Sequence, residues 1–347
     1  MSKSIKNCFD KRLTFEKLLE AEKRARKNKG NKKEILEFEM DLESNLVSLL
    51  KELKDGSYKL GKYREFVIKE PKERLIKSLP FRDRVVQQWY VEEFIKPFFV
   101  PRMISDSYAC IEKRGTHKAV DKVQRYMKKV KKEFPNYYVL QCDVKKFFFS
   151  LDRNKLFSIL KRKIKDKKLL ELTKKFIFDN EDRISIPIGN YTSQYFGNIY
   201  LNELDWYIKD KLKIKYYVRY LDDMILFGRS KKECRILKEK IGAFLDYLGL
   251  EYNPKSRYYP GRLGIDFCGY RIFEKYRLVR KRSIKKIKKK IRMWKKLRII
   301  GALDKKKVKR CFNSWCSHIK YASSYHLKIK IYKSFFTESF KKVWLNR

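Results

Sequence analysis

Two aspartates stand side by side in YYVRYLDDMILFGRS, residues 216 to 230, within a run that otherwise reads as strand bound for a core. Adjacent carboxylates among apolar neighbours repel each other and lose hydration, so a fold keeps Asp222 and Asp223 together only at a turn or around a positive charge. The flanking apolar runs predict a hairpin with the pair at or beside its turn. Upstream, YYVLQCDV (137 to 144) is apolar until Asp143, which suits a buried strand delivering one carboxylate at its end. Strand ends that converge would bring Asp143 to the hairpin, where divalent cations, two Mg2+ with Mn2+ as a substitute, supply the missing positive charge. Neighbouring strand residues point to opposite faces, so Asp222 is expected to be the principal partner of Asp143, with Asp223 second in rank.

The 347 residues carry 88 Lys and Arg against 41 Asp and Glu, a formal charge of +47, yet 43% of them are apolar. That much apolar surface fills a core, so the chain is a folded basic protein and not a basic tail. Such an excess of positive charge repels itself unless a polyanion neutralises it, which makes nucleic acid the leading partner and an anionic membrane surface the runner-up. No stretch approaches the ~20 apolar residues that span a bilayer, and MSKSIKNCFDKRLTF has no signal-peptide apolar core. Seven scattered cysteines without a C-x-x-C pair read as free thiols of a reducing cytoplasm, and three histidines argue against a zinc site.

Four regions follow along the chain. Residues 1–56 read as an N-terminal helical extension broken at Gly30-Asn31 and ended at Asp55-Gly56. Residues 57–136 hold two short strands joined at Pro71, a helix after Pro80 bounded by Pro97 and Pro101, and a helix capped by Thr116. Residues 137–275 hold the Asp143 strand, a helix capped by Asp152, a Pro/Gly turn leading into a helix, the Asp222 hairpin, a helix followed by a strand, and a strand pair in RLGIDFCGYRIF. The order predicts an α+β fold with a sheet layered on helices. Residues 276–347 turn helical and basic. From 281 onward they hold 23 Lys and Arg against Asp304 and Glu338 alone, while Ile284, Ile287, Ile291 and Trp294 repeat at helical spacing, as in a small bundle gripping a duplex backbone.

Several of these stretches, in order from about residue 60 to 275, resemble the reverse transcriptases. DVKKFFFS, beginning at Asp143, is similar to the family's first catalytic motif, and YLDD at 220 to 223 to its Y-x-D-D box. PIGNYTSQ (187 to 194) is similar to the P-x-G-x-x-x-S motif, NPKS (253 to 256) to the lysine motif, DFCGYRI (266 to 272) to the primer-grip region, and ERLIKSLPFRDRVVQQ to the fingers motifs. The resemblance implies a right-hand polymerase. Its fingers would span 57–136, its palm 137–275 with an insertion around 153–190, and its short helical thumb 276–347. It implies Asp143, Val144, Asp222 and Asp223 as metal ligands and Lys255 as proton donor to pyrophosphate. Arg74, Lys62, Lys72, Phe148, Ile188, Gly189 and Gln194 would surround the nucleotide, with Phe148 gating against a 2′-hydroxyl and Gly189 letting backbone approach the base pair. Tyr220, Phe267, Cys268 and Gly269 would hold the primer end.

Two departures point to a subclass. Ile188 and Gln194 stand where retroviral and intron enzymes carry Gln and Pro, and the S-Q pair looks like the enzymes of diversity-generating retroelements, which copy a template-repeat RNA with errors opposite adenines. Ile188 removes an amide from the nucleotide pocket, and an apolar contact discriminates by only ~1–3 kcal/mol. About 70 residues follow the primer-grip region, enough for a thumb and too few for an RNase H or endonuclease domain. The subclass implies a small basic accessory protein, oligomeric, as partner beside template RNA, the cDNA duplex and dNTPs, in a bacterial cytoplasm. Retron, abortive-infection and intron-type enzymes share the motifs. A non-catalytic RNA-binding scaffold of the same fold is the reading from another class. The Gly115-Thr116-His117 segment has no role derivable from sequence.

Overall fold

The computed structural model describes residues 4–69, 73–179 and 182–334. Among them are nine strands: β1 Arg64–Ile68, β2 Arg74–Ser78, β3 Tyr138–Cys142, β4 Tyr217–Tyr220, β5 Asp223–Gly228, β6 Arg257–Pro260, β7 Ile265–Phe267, β8 Tyr270–Ile272 and β9 Arg277–Val279. They form a β1-β2 ribbon, a four-stranded sheet of order β4-β5-β3-β6 and a β7-β8-β9 meander, with helices making up most of the rest. The class is α+β, as the element order predicts. No helix among the described residues is long and apolar enough to cross a membrane.

The chain divides into two units. The first comprises Met1–Lys113, Cys142–Met224 and Ile236–Ser256. Its helix Phe15–Arg26 starts where the Thr14 side chain accepts from Lys17 N (3.3 Å), and Leu42–Asp55 stops at Gly56, whose φ of 82° an L side chain resists. Asp152 caps Arg153–Lys161 by accepting from Lys155 N at 2.9 Å, as expected from the sequence. Asp166 caps Lys167–Ile177 and also accepts from Cys8 N and Phe9 N, tying the N-terminal segment to that helix. The helix after Pro80 does not stop at Pro97. It passes through a π turn at Val91–Ile95 into Lys96–Phe99, where Pro97 occupies a first-turn position that needs no N–H. In the β1-β2 ribbon Phe66 pairs with Ile76; Pro71, the expected joint, lies outside the described residues.

The second unit comprises Arg114–Gln141, Ile225–Arg235 and Arg257–Arg347. Here β3 pairs antiparallel with β6, Val139 opposite Tyr259. The sequence reading places a strand before Ser256, but that stretch makes only the single bridge Val144–Tyr252, and the strand follows Ser256 instead, where Tyr258 and Tyr259 alternate faces. Helix Thr116–Glu133 is not capped by Thr116: Gly115, at φ 107°, is the cap residue and Thr116 the first helical one. The C-terminal helices Lys281–Ile299, Lys305–Ile319 and Tyr325–Lys333 close around Ile287, Ile291, Trp294, Phe312, Trp315 and Ile331, so the apolar seam expected from spacing is a core, with the lysines left on its outside.

Candidate active site

Strand β4 ends at Tyr220 and β5 begins at Asp223, so Leu221 and Asp222 form the turn between them. Leu221 has φ 56°, a left-handed conformation that costs a non-glycine residue ~1–2 kcal/mol and persists only where surroundings impose it. Arg219 imposes it, donating from Nη1 to the Leu221 carbonyl at 3.1 Å. Its guanidinium is fully buried and held on the other side by Asp205 (Nε–Oδ1 2.8 Å, Nη2–Oδ2 2.6 Å) and by Asn198 Oδ1 at 3.0 Å. Tyr217 donates to the same Asp205 carboxylate at 2.7 Å. A two-point Arg–carboxylate pair is directional, so the turn that presents Asp222 stands on a rigid polar post.

Asp143 is fixed from the other side. The Asn253 amide donates to Asp143 Oδ2 at 2.9 Å and the Asn253 N–H to the Asp143 carbonyl at 2.7 Å. Asp143 N donates to Ser256 Oγ at 3.1 Å, and that hydroxyl donates back to the Asp143 carbonyl at 3.2 Å. NPKS is therefore a clamp on the first carboxylate, with its lysine backbone tied only to Asn253 Oδ1 and the Lys255 side chain exposed.

Asp143 and Asp222 meet within hydrogen-bonding reach. Burial, then the Asp143 charge, pushes the Asp222 carboxyl up to about 6, and Arg74 is near enough to pull it down in part. Two facing carboxylates in this condition fit a divalent cation, which would replace their shared proton and remove the repulsion. Among the described residues no three His, Cys, Asp or Glu side chains are grouped as a metal-holding set.

A raised carboxyl pKa favours folding only while the group is protonated. That contribution is full below pH ~4 and is lost as pH rises through about 6, amounting to ~3 kcal/mol at 1.36 kcal/mol per unit. In chelator, Asp222→Asn should accordingly match the parent in unfolding free energy at pH 4 and exceed it at pH 7.5, and Mg2+ should shrink the gap at pH 7.5. A parent–variant difference that does not vary with pH would contradict this account.

The other expected residues distribute unevenly. Arg74 opens β2, exposed and within electrostatic range of Asp222. Lys62 is exposed, and Lys72 lies outside the described residues. Phe148 is half-buried against Phe147 (ring centroids 5.3 Å apart), while Phe147 is the core member of the pair. The Ile188 carbonyl accepts from Lys77 N at 2.9 Å, and Gln194 is exposed on helix Tyr191–Trp206. Gly189 is required by the fold itself. At φ 136° a β-carbon there would fall on the Lys77 carbonyl oxygen and 3.0 Å from Ile76 Cγ2, so the glycine lets this turn dock on β2. Gly189→Ala should cost ~1–3 kcal/mol in urea unfolding and raise KM for dNTP; a variant with parental stability would show that β2 yields easily.

In the second unit Phe267 is buried, and Cys268 (φ 47°) and Gly269 (φ 91°) make the two-residue turn of the β7-β8 hairpin. The hairpin is braced by the segment that sequence left unexplained. His117 Nε2 lies 3.3 Å from the Tyr270 hydroxyl and its ring stacks on Tyr321, with centroids 3.5 Å apart. The Tyr270 hydroxyl donates to the His318 carbonyl at 2.7 Å.

The reverse transcriptase (RNA-dependent DNA polymerase) family matches residues 67–272, more than half of the chain. The group II intron-encoded protein LtrA of Lactococcus lactis subsp. cremoris is 28% identical over 186 residues, which cover 50% of this chain and 30% of that protein. An uncharacterised 91 kDa protein in a cob intron of Schizosaccharomyces pombe is 26% identical over 141 residues, covering 37% of this chain and 16% of its own length. The matches thus span less than a third of these curated relatives. Among solved structures, apo telomerase from Candida tropicalis truncated from its C-terminal domain aligns with TM-score 0.48 at 14% identity, covering 68% of this chain and 60% of that one. Telomerase from Candida albicans with a fragment of telomeric RNA aligns with TM-score 0.47 at 12% identity, covering 73% and 55%.

Proposed function

The chain belongs to the reverse transcriptase family, and from that premise we propose that it polymerises deoxynucleotides on an RNA template at the Asp143–Asp222 pair. The observation that carries the proposal is that two carboxylates distant in sequence face each other, Asp143 held by the Asn253 amide and the turn that presents Asp222 held at its Leu221 carbonyl by Arg219. Divalent metal, Mg2+ or Mn2+, held by Asp143, Asp222 and the Val144 carbonyl with Asp223 beside them, would activate the primer hydroxyl and stabilise the leaving pyrophosphate. The chain's own groups do the rest. Arg74, with Lys62 and Lys72, binds the triphosphate by charge-assisted bonds; Phe148 excludes a 2′-hydroxyl; Lys255 protonates pyrophosphate. Tyr220 and the Phe267-Cys268-Gly269 turn hold the primer end. In the right-hand scheme residues 57–136 act as fingers, 137–275 as palm, and the basic helices from 276 as a thumb on the template–primer duplex. The direct test is primer extension by the full chain on RNA.

Within the family we assign the chain to diversity-generating retroelements, with low fidelity opposite template adenines and an accessory protein as partner. The SQ pair and Ile188 support this assignment. An intron-type enzyme is the second reading, favoured by the similarity to LtrA. Ile188→Gln should lower misincorporation opposite adenine several-fold, since a restored amide discriminates between bases by hydrogen bonds that an aliphatic side chain does not make. Sequencing cDNA from both proteins decides it, equal error spectra counting against the assignment. Two near-identical genomic repeats differing at adenines should also lie near the coding sequence.

A further inference from the structure

Away from the carboxylate pair, the first unit holds a cavity of about 600 Å³ that none of the residues discussed above lines. Its basic side comes from Arg102, in the turn Val100–Arg102, and from Arg162 and Lys163, just past helix Arg153–Lys161. Opposite, Asn202, Glu203 and Trp206 share one face of helix Tyr191–Trp206. Glu203 is committed to Arg162 (2.6 Å), so the lining stays net positive. Lys163 is only 5% exposed; burial and the neighbouring Arg102 both press its ammonium toward losing its proton. An anion in the cavity relieves the repulsion between them.

Two further features narrow the anion. Asn202 lines the cavity, and its buried Oδ1 accepts no hydrogen bond from any described residue, an acceptor that a ligand's donor satisfies once the side chain turns toward the cavity. Trp206 is 43% exposed, but its Nε1 donates to the Arg102 carbonyl at 3.1 Å, which fixes the ring as a flat platform. Negative charge, a donor and a π-face together describe a nucleotide, and the volume lies within the ~300–1,000 Å³ usual for such ligands. Lys161 and Lys165 are exposed on the adjoining chain, where the phosphates on either side of a bound residue would run.

We propose that this cavity takes one nucleotide of a single-stranded RNA, its phosphate against Arg102 and Lys163, its base on Trp206, and a hydroxyl or amine donating to Asn202 Oδ1. The site anchors RNA apart from the catalytic pair and rests on the RNA-directed reading only for the kind of strand.

Titration of the full chain with a hexaribonucleotide, read by tryptophan fluorescence, tests it. The chain has five tryptophans, so the signal is the difference between the parent and Trp206→Phe. That difference should quench on titration. Arg102→Gln and Asn202→Leu should each weaken the binding about tenfold, the loss expected for a charge-assisted or buried hydrogen bond. Asn202→Leu removes an orphan acceptor, so its melting temperature should not fall. Extension on a saturating short primer–template should stay parental in both variants. Unchanged hexamer affinity in both variants overturns the proposal, and adenosine monophosphate binding as tightly as the hexamer overturns the strand in favour of a free nucleotide. Quenching without extension in the parent would instead remove the polymerase reading and leave this site standing.

Discussion

Asp222→Asn is expected to slow primer extension on RNA by about 10³-fold or more, because charge stabilisation by a carboxylate-held cation is worth several kcal/mol and each 1.36 kcal/mol is tenfold. RNA affinity should hardly move, since it comes from the Lys and Arg excess and not from the carboxylates. Asp143→Asn should match it, because the two carboxyls face each other and either amide removes half of the negative charge a cation needs. The asparagine is nearly isosteric and leaves the Arg219 bond to the Leu221 carbonyl intact, so a loss of activity is chemical and not a collapse of the turn. Single-nucleotide incorporation under saturating dNTP, beside a filter-binding isotherm for the same RNA, measures both. An extension rate within a few-fold of the parent's would defeat the polymerase reading, however the family match stands.

What sequence made legible was local. An apolar run ended by one aspartate, and a hairpin pattern with two, is enough to predict β3, β4 and β5. Periodicity of apolar residues found the seam from Ile287 to Trp294. What sequence did not disclose depends on contacts between distant segments. Asn253 and Ser256 flank the motif lysine and look like turn formers, yet it is they, not Lys255, that touch Asp143. Asn at a turn beside a motif position was the available signal. Gly189 was legible as a glycine that backbone geometry requires, but its neighbour, the Lys77 carbonyl, is set by how the β1-β2 ribbon docks. His117 has no role derivable from sequence because Tyr270 and Tyr321, which meet it, lie more than 150 residues away. Arg219 was hidden in plain view. It lies one residue before the YLDD box and reads as one more cation among 88, and only burial beside Asp205 distinguishes it.

Arg219→Met should cost ~3–5 kcal/mol of unfolding free energy, the usual penalty for breaking a fully buried ion pair by removing one partner. Asp205 would keep the Tyr217 hydroxyl but lose both guanidinium bonds while remaining at 0% exposure, so its carboxylate would be left charged in an apolar surround. Removing both ends together behaves differently. In Arg219→Met with Asp205→Leu no charge is stranded, and hydrophobic replacement of a buried pair is often neutral. The double variant should therefore recover most of the stability in urea titration. Activity should not return with it. The Leu221 carbonyl has no guanidinium to hold it in the double variant, and a left-handed leucine without that restraint relaxes, carrying Asp222 away from Asp143. A stable double variant with extension still depressed at least tenfold separates the two roles of Arg219, the ion pair that supports the core and the hydrogen bond that aims the turn. Recovery of stability and extension together would show that the turn keeps its shape without the arginine, and that Arg219 matters only as the neutraliser of Asp205.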